Sequence, residues 1–152
     1  MVSDLAVRPF APDDSSHLLE WYRDDREGLE ALMGEALPDV SDCAAGFQAL
    51  LGQVNEGLAM LAVVTHREAP IGLAALTGVA PDRSSGSPHL YIVPNHRRYS
   101  VAAAKKAEGY AQSAGVRAFV TTINQENTRG MSLAKRMGYE LMPRITLKKE
   151  LA

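Results

Sequence analysis

The chain has 152 residues, 46% of them apolar and 22% charged, with a net charge of −2 and one cysteine, Cys43. That suits a single domain, 1–152, with enough apolar residues for a core; it excludes an internal disulfide and a cysteine-built metal cluster, and it argues against nucleic acid as a partner. Apolar runs such as Leu58 to Val64 fall far short of the ~20 residues that cross a bilayer, and no signal-like segment opens the chain, so the expectation is a cytoplasmic protein with no membrane partner.

Leu5 to Arg8 predicts a short strand, stopped by Pro9 and Pro12. Asp13-Asp14-Ser15-Ser16 offers caps for a helix through Leu18, Leu19 and Tyr22. The acidic segment from Arg23 to Asp39 carries Leu29, Leu32 and Met33 at helical spacing and breaks at Pro38. Ser41 or Asp42 then caps a helix with Phe47, Leu50, Leu51 and Val54 at steps of three and four. Two apolar strands, Leu58 to Thr65 and Ile71 to Val79, flank a polar connector from His66 to Pro70. Pro81 to Pro88 reads as a mobile loop, and His89 to Val93 as a fourth strand ended by Pro94-Asn95.

Ser100 opens an alanine-rich helix to about Ser113, and Gly115 is its cap. Val116 to Ile123 predicts a fifth strand, Asn127 to Met137 a helix closed by Gly138, and Tyr139 to Leu147 one or two last strands. The order βααβββαβαβ gives an α/β sandwich around a mixed sheet.

Charge is divided unevenly along this order. Residues 1–42 hold eleven of the 18 acids against three bases, a net of −8; residues 43–152 hold 13 bases against seven acids, a net of +6. One reading is an anion bound by the second part and a cation by the first; the other is a solvated acidic helix face.

The most informative stretch is a strand, then Pro94-Asn95-His96-Arg97-Arg98-Tyr99-Ser100, then a helix. A loop entering a helix presents backbone N–H groups where the helix dipole also favours an anion. Arg97 and Arg98 add guanidinium donors shaped for phosphate oxygens, so the stretch describes a pyrophosphate cradle. Further on, Asn124-Gln125-Glu126-Asn127 precedes Leu133-Ala134-Lys135-Arg136-Met137-Gly138-Tyr139.

This last block resembles the closing block of the GNAT superfamily of N-acetyltransferases, which use acetyl-coenzyme A. Three more parts agree in order: Val7-Arg8-Pro9-Phe10 with Pro12-Asp13-Asp14 is similar to the family's opening strand and cap, Ile71-Gly72 to its third strand, and Val93-Pro94-x-x-Arg97 to its fourth strand and phosphate loop. The resemblance covers about residues 4 to 149. It implies an α/β fold with a mixed central sheet, helices on both faces, and strands four and five splayed around the cofactor. It further implies N-acetyl transfer from acetyl-CoA, without a metal, to a small-molecule or peptide amine in a ternary complex, and it admits a homodimer.

By the same resemblance Val93, Arg97, Arg98, Tyr99, Ser100, Val101, Ala102 and Asn127 contact the cofactor. A backbone N–H near Ile92 or Val93 holds the oxyanion, and His89 stands where some members place a general base. Tyr91 has the parity of His89, and so the same side of the sheet. Two positions depart from the pattern. Ser100 stands where the phosphate loop usually has glycine, and Ala134 stands where many members have a tyrosine acid. These departures support one alternative, a weak or inactive module that binds coenzyme A or a protein. A second, a phage-type acetyltransferase with an unusual acceptor, rests on the resemblance of short proteins of this pattern to those of phages.

Overall fold

The computed structural model describes residues 4–33, 35–123, 126–143 and 146–151. The chain divides into two compact units, Met1–Thr121 and Thr122–Ala152.

The first unit is built on a sheet in the order β1 (Leu5–Pro9), β2 (Met60–His66), β3 (Ala69–Thr77), β4 (Ser85–Ile92) and β5 (Ala118–Phe119). The first four strands are antiparallel to their neighbours, and β5 joins β4 in parallel. Helices α1 (Ser15–Asp24), α2 (Arg26–Met33) and α3 (Val40–Asn55) separate β1 from β2, and α4 (Ser100–Ser113) separates β4 from β5. Strand side chains alternate between faces, so the sheet is apolar on both sides. Leu61, Val63, Leu73, Ala75 and Tyr91 pack with Leu18, Trp21, Leu29, Leu32 and Phe47 of the first three helices. Val64, Ala74 and Ile92 pack with Ala103 of α4 on the other face. Helices therefore cover both faces of a mixed sheet.

The opening strand is locked to α1 by charge. Asp14 is buried and accepts two bonds of 2.8 Å from the Arg8 guanidinium, with a third from the Ala11 N–H. The Arg8 bond, ahead of every other influence, holds the Asp14 carboxyl below its ordinary pKa. Between β2 and β3 the connector is tighter than its composition predicts. Arg67 and Glu68 take φ of 51° and 70°, the two-residue turn whose twist matches a hairpin, and Pro70 lies inside β3. Thr65 pairs with Pro70 while Val64 pairs with Gly72, so Ile71 is the extra residue of a bulge. That shift carries its side chain to the α4 face.

Four expectations need correction. The acidic segment forms a helix of its own, because Asp25 at φ −151° and ψ 63° ends α1 and its carboxylate accepts the Gly28 N–H. Three helices therefore precede β2. The expected loop Pro81 to Pro88 ends in strand: Ser87 pairs with Thr77, Pro88 with Leu76, and the Ala80 N–H bonds the Ser85 carbonyl. The fifth strand shrinks from Val116–Ile123 to two residues. Its partner explains this, since the next parallel rung needs an N–H from residue 88, which is proline.

In the second unit, α5 (Thr128–Arg136) forms close to its expected bounds, and Gly138 follows it at φ 88°. The strands expected over Tyr139 to Leu147 are not formed among the described residues, and Leu141 and Leu147 are 82% and 88% exposed. A strand exists only as part of a ladder, and a suitable sequence alone does not supply a partner. Arg144 and Ile145 lie outside the described residues, as do Asn124 and Gln125 of the closing motif.

Candidate active site

The ladder between β3 and β4 decides which backbone groups of β4 are available. The Val93 N–H bonds the Ile71 carbonyl at 2.8 Å, so odd-numbered residues of this stretch face β3. Even-numbered residues point the other way. On that side the Gly86 carbonyl accepts the Val120 N–H at 2.9 Å, and there the pairing with β5 stops. Pro88 has no N–H, which among the described residues leaves Leu90 and Ile92 as the donors of an open edge. Of the two backbone positions expected near the oxyanion, Ile92 thus offers an outward N–H, and Val93 uses its own inside the sheet.

Immediately beyond Ile92, Pro94–Tyr99 wind into a 3₁₀ turn that feeds α4. Three basic residues, His96, Arg97 and Arg98, lie in its last turn, and no acid lies in the first turn of α4. Tyr99 is the N-cap of α4 and makes no side-chain cap bond. The Ser100 N–H is taken by the Arg97 carbonyl, so Val101 and Ala102 are the first-turn positions that carry the anion-binding character of the helix end. Ser100 has φ −56° and ψ −44°, ordinary helical geometry that glycine is not needed to reach.

Both arginines are folded onto the protein. Arg98 lies over the Tyr99 ring at 4.6 Å, donates to the Asn95 carbonyl at 2.8 Å and reaches the Tyr99 hydroxyl at 3.4 Å. That contact is the main reason the Tyr99 phenol sits below its ordinary pKa. His66 also stacks on the Tyr99 ring, at 4.9 Å, and the His96 Nδ1 is buried without a hydrogen-bond partner among the described residues. Arg97 donates from Nε to the Ile92 carbonyl at 3.2 Å and from Nη2 to Asp25 Oδ2 at 2.5 Å.

His89 is half-buried on β4, with its Nε2 at 2.9 Å from the Thr77 hydroxyl. Burial alone lowers its pKa, which keeps the ring uncharged at neutral pH. Tyr91 is buried among the α1–α3 side chains, where it meets Trp21 at 5.7 Å, and its hydroxyl donates to Asp25 Oδ2 at 3.1 Å. Burial first, and the Asp25 carboxylate second, push the Tyr91 phenol far above its ordinary pKa, so it stays a hydrogen-bond donor.

Asp25 is the residue that reading the sequence misses. It joins α2, β4 and the arginine loop through three bonds. Its capping role has a local signal, an acid three residues before Gly28, but nothing local announces a partner 72 residues away.

In the second unit, Asn127 caps α5, its side-chain oxygen accepting the Gly130 N–H at 2.8 Å. Cys43 is buried in α3 and burial raises its thiol pKa, which suits packing and not chemistry. Among the described residues no group of three histidines, cysteines or acids is arranged to hold a metal ion, and no helix is long and apolar enough to cross a membrane.

A family model described as an acetyltransferase (GNAT) domain matches residues 4–140. Comparison with curated proteins finds no significant match. Among solved structures, one similar fold is an acetyltransferase from Salmonella typhimurium that modifies the N-terminal serine of ribosomal protein L7/L12. It has 13% identity and a TM-score of 0.70, over 91% of this chain and 82% of that one. Another is spermidine N-acetyltransferase from Vibrio cholerae in complex with CoA and spermine, with 16% identity and a TM-score of 0.70, over 90% and 80%. A dodecameric structure of spermidine N-acetyltransferase from the same organism aligns at 15% identity and a TM-score of 0.66, over 90% and 79%.

Proposed function

The chain belongs to the GNAT acetyltransferase family, and from that premise we propose that it moves an acetyl group from acetyl-CoA to a primary amine by direct attack in a ternary complex. The observation that carries this reading is the open edge of β4, which ends at Ile92 and runs straight into an arginine loop and a helix N-terminus without a side-chain cap. The donor set fits a polyanion: first-turn N–H groups at Val101 and Ala102, with Arg97, Arg98, Tyr99 and Ser100 around them. The outward N–H of Ile92 is the donor suited to the thioester oxygen as it gains charge. Val93, its N–H bound to Ile71, holds the strand end in place. The family pattern assigns Asn127 to the cofactor arm; within the second unit it caps α5 through its side-chain oxygen.

In the transfer the amine nitrogen forms a bond to the thioester carbon, the carbon–sulfur bond breaks, and the thiolate departs. A neutral His89 accepts the proton that the amine loses, through a water. Ala134 supplies no acid to the thiolate, but an ordinary thiol pKa of ~8.5 lets it leave partly unprotonated.

For the acceptor, the support is the net −8 of residues 1–42, which suits a cationic amine, either small or a protein N-terminus or lysine. The named acceptors of two structural neighbours, spermidine and an N-terminal serine, are both amines. The test is thiol release from acetyl-CoA across polyamines, aminoglycosides, amino acids and basic peptides at two ionic strengths. A cationic acceptor whose apparent affinity falls with salt is the expected result. CoA binding without turnover of any amine would leave a binding module, and a neutral or acidic best acceptor would end the charge argument.

A further inference from the structure

The Asp25 side chain is only 14% exposed, and its neighbours are fitted closely around it. A Cβ on Gly28 would run into Asp25 Oδ2 and would stand 2.7 Å from the Tyr91 ring, so the α1–α2 corner closes on the carboxylate only because residue 28 is glycine. Within that corner Gly28 N–H binds Oδ1, while the Tyr91 hydroxyl and Arg97 Nη2 bind Oδ2. Arg97 is half-exposed and is held at a second point by the Ile92 carbonyl. Two bonds from different nitrogens fix the plane of a guanidinium, and Nη1 makes no hydrogen bond to the described residues. A guanidinium fixed in this way presents its remaining N–H groups to an anion without first losing rotamer freedom.

We propose that Asp25 is a positioning residue of the donor site: it orients Arg97 toward the cofactor's phosphates and, through Arg97, braces the Ile92–Val93 peptide at the end of β4. The proposal rests on acetyl-CoA being bound at the arginine loop. It opposes the simpler electrostatic expectation, in which a carboxylate beside Arg97 only cancels charge and weakens anion binding. The two differ in sign. If Asp25 merely competes with phosphate for Arg97, removing it tightens CoA; if it positions Arg97, removing it weakens CoA.

Calorimetric titration of CoA into the full chain decides between them, using Asp25→Ala, Asp25→Asn, Arg97→Ala and the Asp25→Ala/Arg97→Ala double variant. Asp25→Ala is expected to weaken CoA about tenfold, a size in keeping with coupled neighbours. Asp25→Asn keeps one acceptor oxygen, which can serve Arg97 but leaves an NH₂ facing the Gly28 N–H, and so recovers part of that loss. In the Arg97→Ala background Asp25→Ala changes nothing further, whereas a purely structural residue would cost as much there as in the parent. An additive cycle, or CoA bound equally or more tightly by Asp25→Ala, overturns the proposal while leaving the acetyl-CoA reading intact. Absence of CoA binding by the parent protein overturns both. Should Asp25→Ala fail to fold, Asp25→Asn and Tyr91→Phe decide: the first weakens CoA by a few-fold and the second, which leaves the Asp25–Arg97 pair, by less than about twofold. Equal effects of the two count against positioning.

Discussion

The two edges of β4 are opposites. Along β3 it pairs from Ser87 to Ile92 without interruption, and the Val93 N–H extends the contact to Ile71. Along β5 it pairs only at Ser85 and Gly86. One strand thus serves as the rigid margin of a sheet and as the wall of a gap, and a single proline at position 88 separates the two behaviours. A site built this way takes its stiffness from one edge and its unused hydrogen-bond donors from the other.

The largest effect is expected from breaking the closed edge. A Cβ on Gly72 would run into the backbone carbonyl of Tyr91 and stand 2.9 Å from the Ile92 Cδ1. The obstacle is main chain, which cannot turn away as a side chain can. Gly72→Ala should cost about 3 kcal/mol, a large part of the ~5–15 kcal/mol that holds a domain together. Urea unfolding checks this, and a midpoint close to that of the parent would mean the two strands can separate at little cost.

A pair of proline substitutions sharpens the contrast between edges. Val93 already has φ −56° and ψ 146°, which proline accepts, but its N–H bonds Ile71. Val93→Pro should lower stability by about 1 kcal/mol and, by loosening the strand end, lower turnover by about a few-fold at most. Ile92→Pro leaves the ladder bonds in place and removes the outward N–H. Turnover per folded molecule should then fall about 10²–10³-fold, the usual cost of losing one oxyanion donor. Steady-state kinetics on both variants, with folding followed by circular dichroism, tests the pair; equal turnover in the two would move the oxyanion contact away from Ile92.

His89 lies between these edges in character, its ring tied to Thr77 of β3 while its chemistry is assigned to the gap. His89→Ala should lower turnover about 10²-fold, the lower range for a base acting through water. Because burial depresses its pKa, the group protonates only below 6.5, and the acidic limb of the rate profile falls there and disappears in the variant. Stability carries the same sign. The unfolded ring binds a proton first as pH drops, so this contribution is complete above 6.5 and is lost as pH falls toward the folded pKa. A rate profile unchanged by the substitution would reduce His89 to a packing residue.

The closed edge was legible in the sequence, and the open one only in part. Apolar runs and the Ile71-Gly72 and Val93-Pro94 pairs locate β2, β3 and β4, and the Ser100 to Ser113 helix falls on its expected bounds. The sequence places Pro88 in a loop, yet a proline is also compatible with an unpaired strand edge, and composition does not separate the two. The apolar run from Val116 to Ile123 shows β propensity but not whether a neighbour will bond to it, so β5 is shorter than the run. Arg97 and Arg98 were visible as cations on a helix-entry loop. Their partners were not, because the Asp25 contact depends on where α1 ends and on the space left by Gly28.

The smallest effect is expected at Ser100, where the open edge gives way to α4. The family pattern places glycine here, and two properties of glycine are at issue: its access to left-handed geometry and its lack of a side chain. The first is irrelevant, because Ser100 already sits at φ −56° in the helical region. The second matters only if the serine side chain stands between a phosphate and the first-turn amides, and serine is the smallest polar group that can be placed there. Its hydroxyl can also donate to a phosphate oxygen, which offsets part of any crowding. Ser100→Gly should therefore tighten CoA by no more than about threefold, while costing ~0.5–1 kcal/mol of stability for a glycine in the first turn of a helix. Titration with CoA and thermal unfolding read the two quantities separately. A gain of about thirtyfold or more would show that Ser100 obstructs the cradle, and would make this position the main reason for any weakness in donor binding.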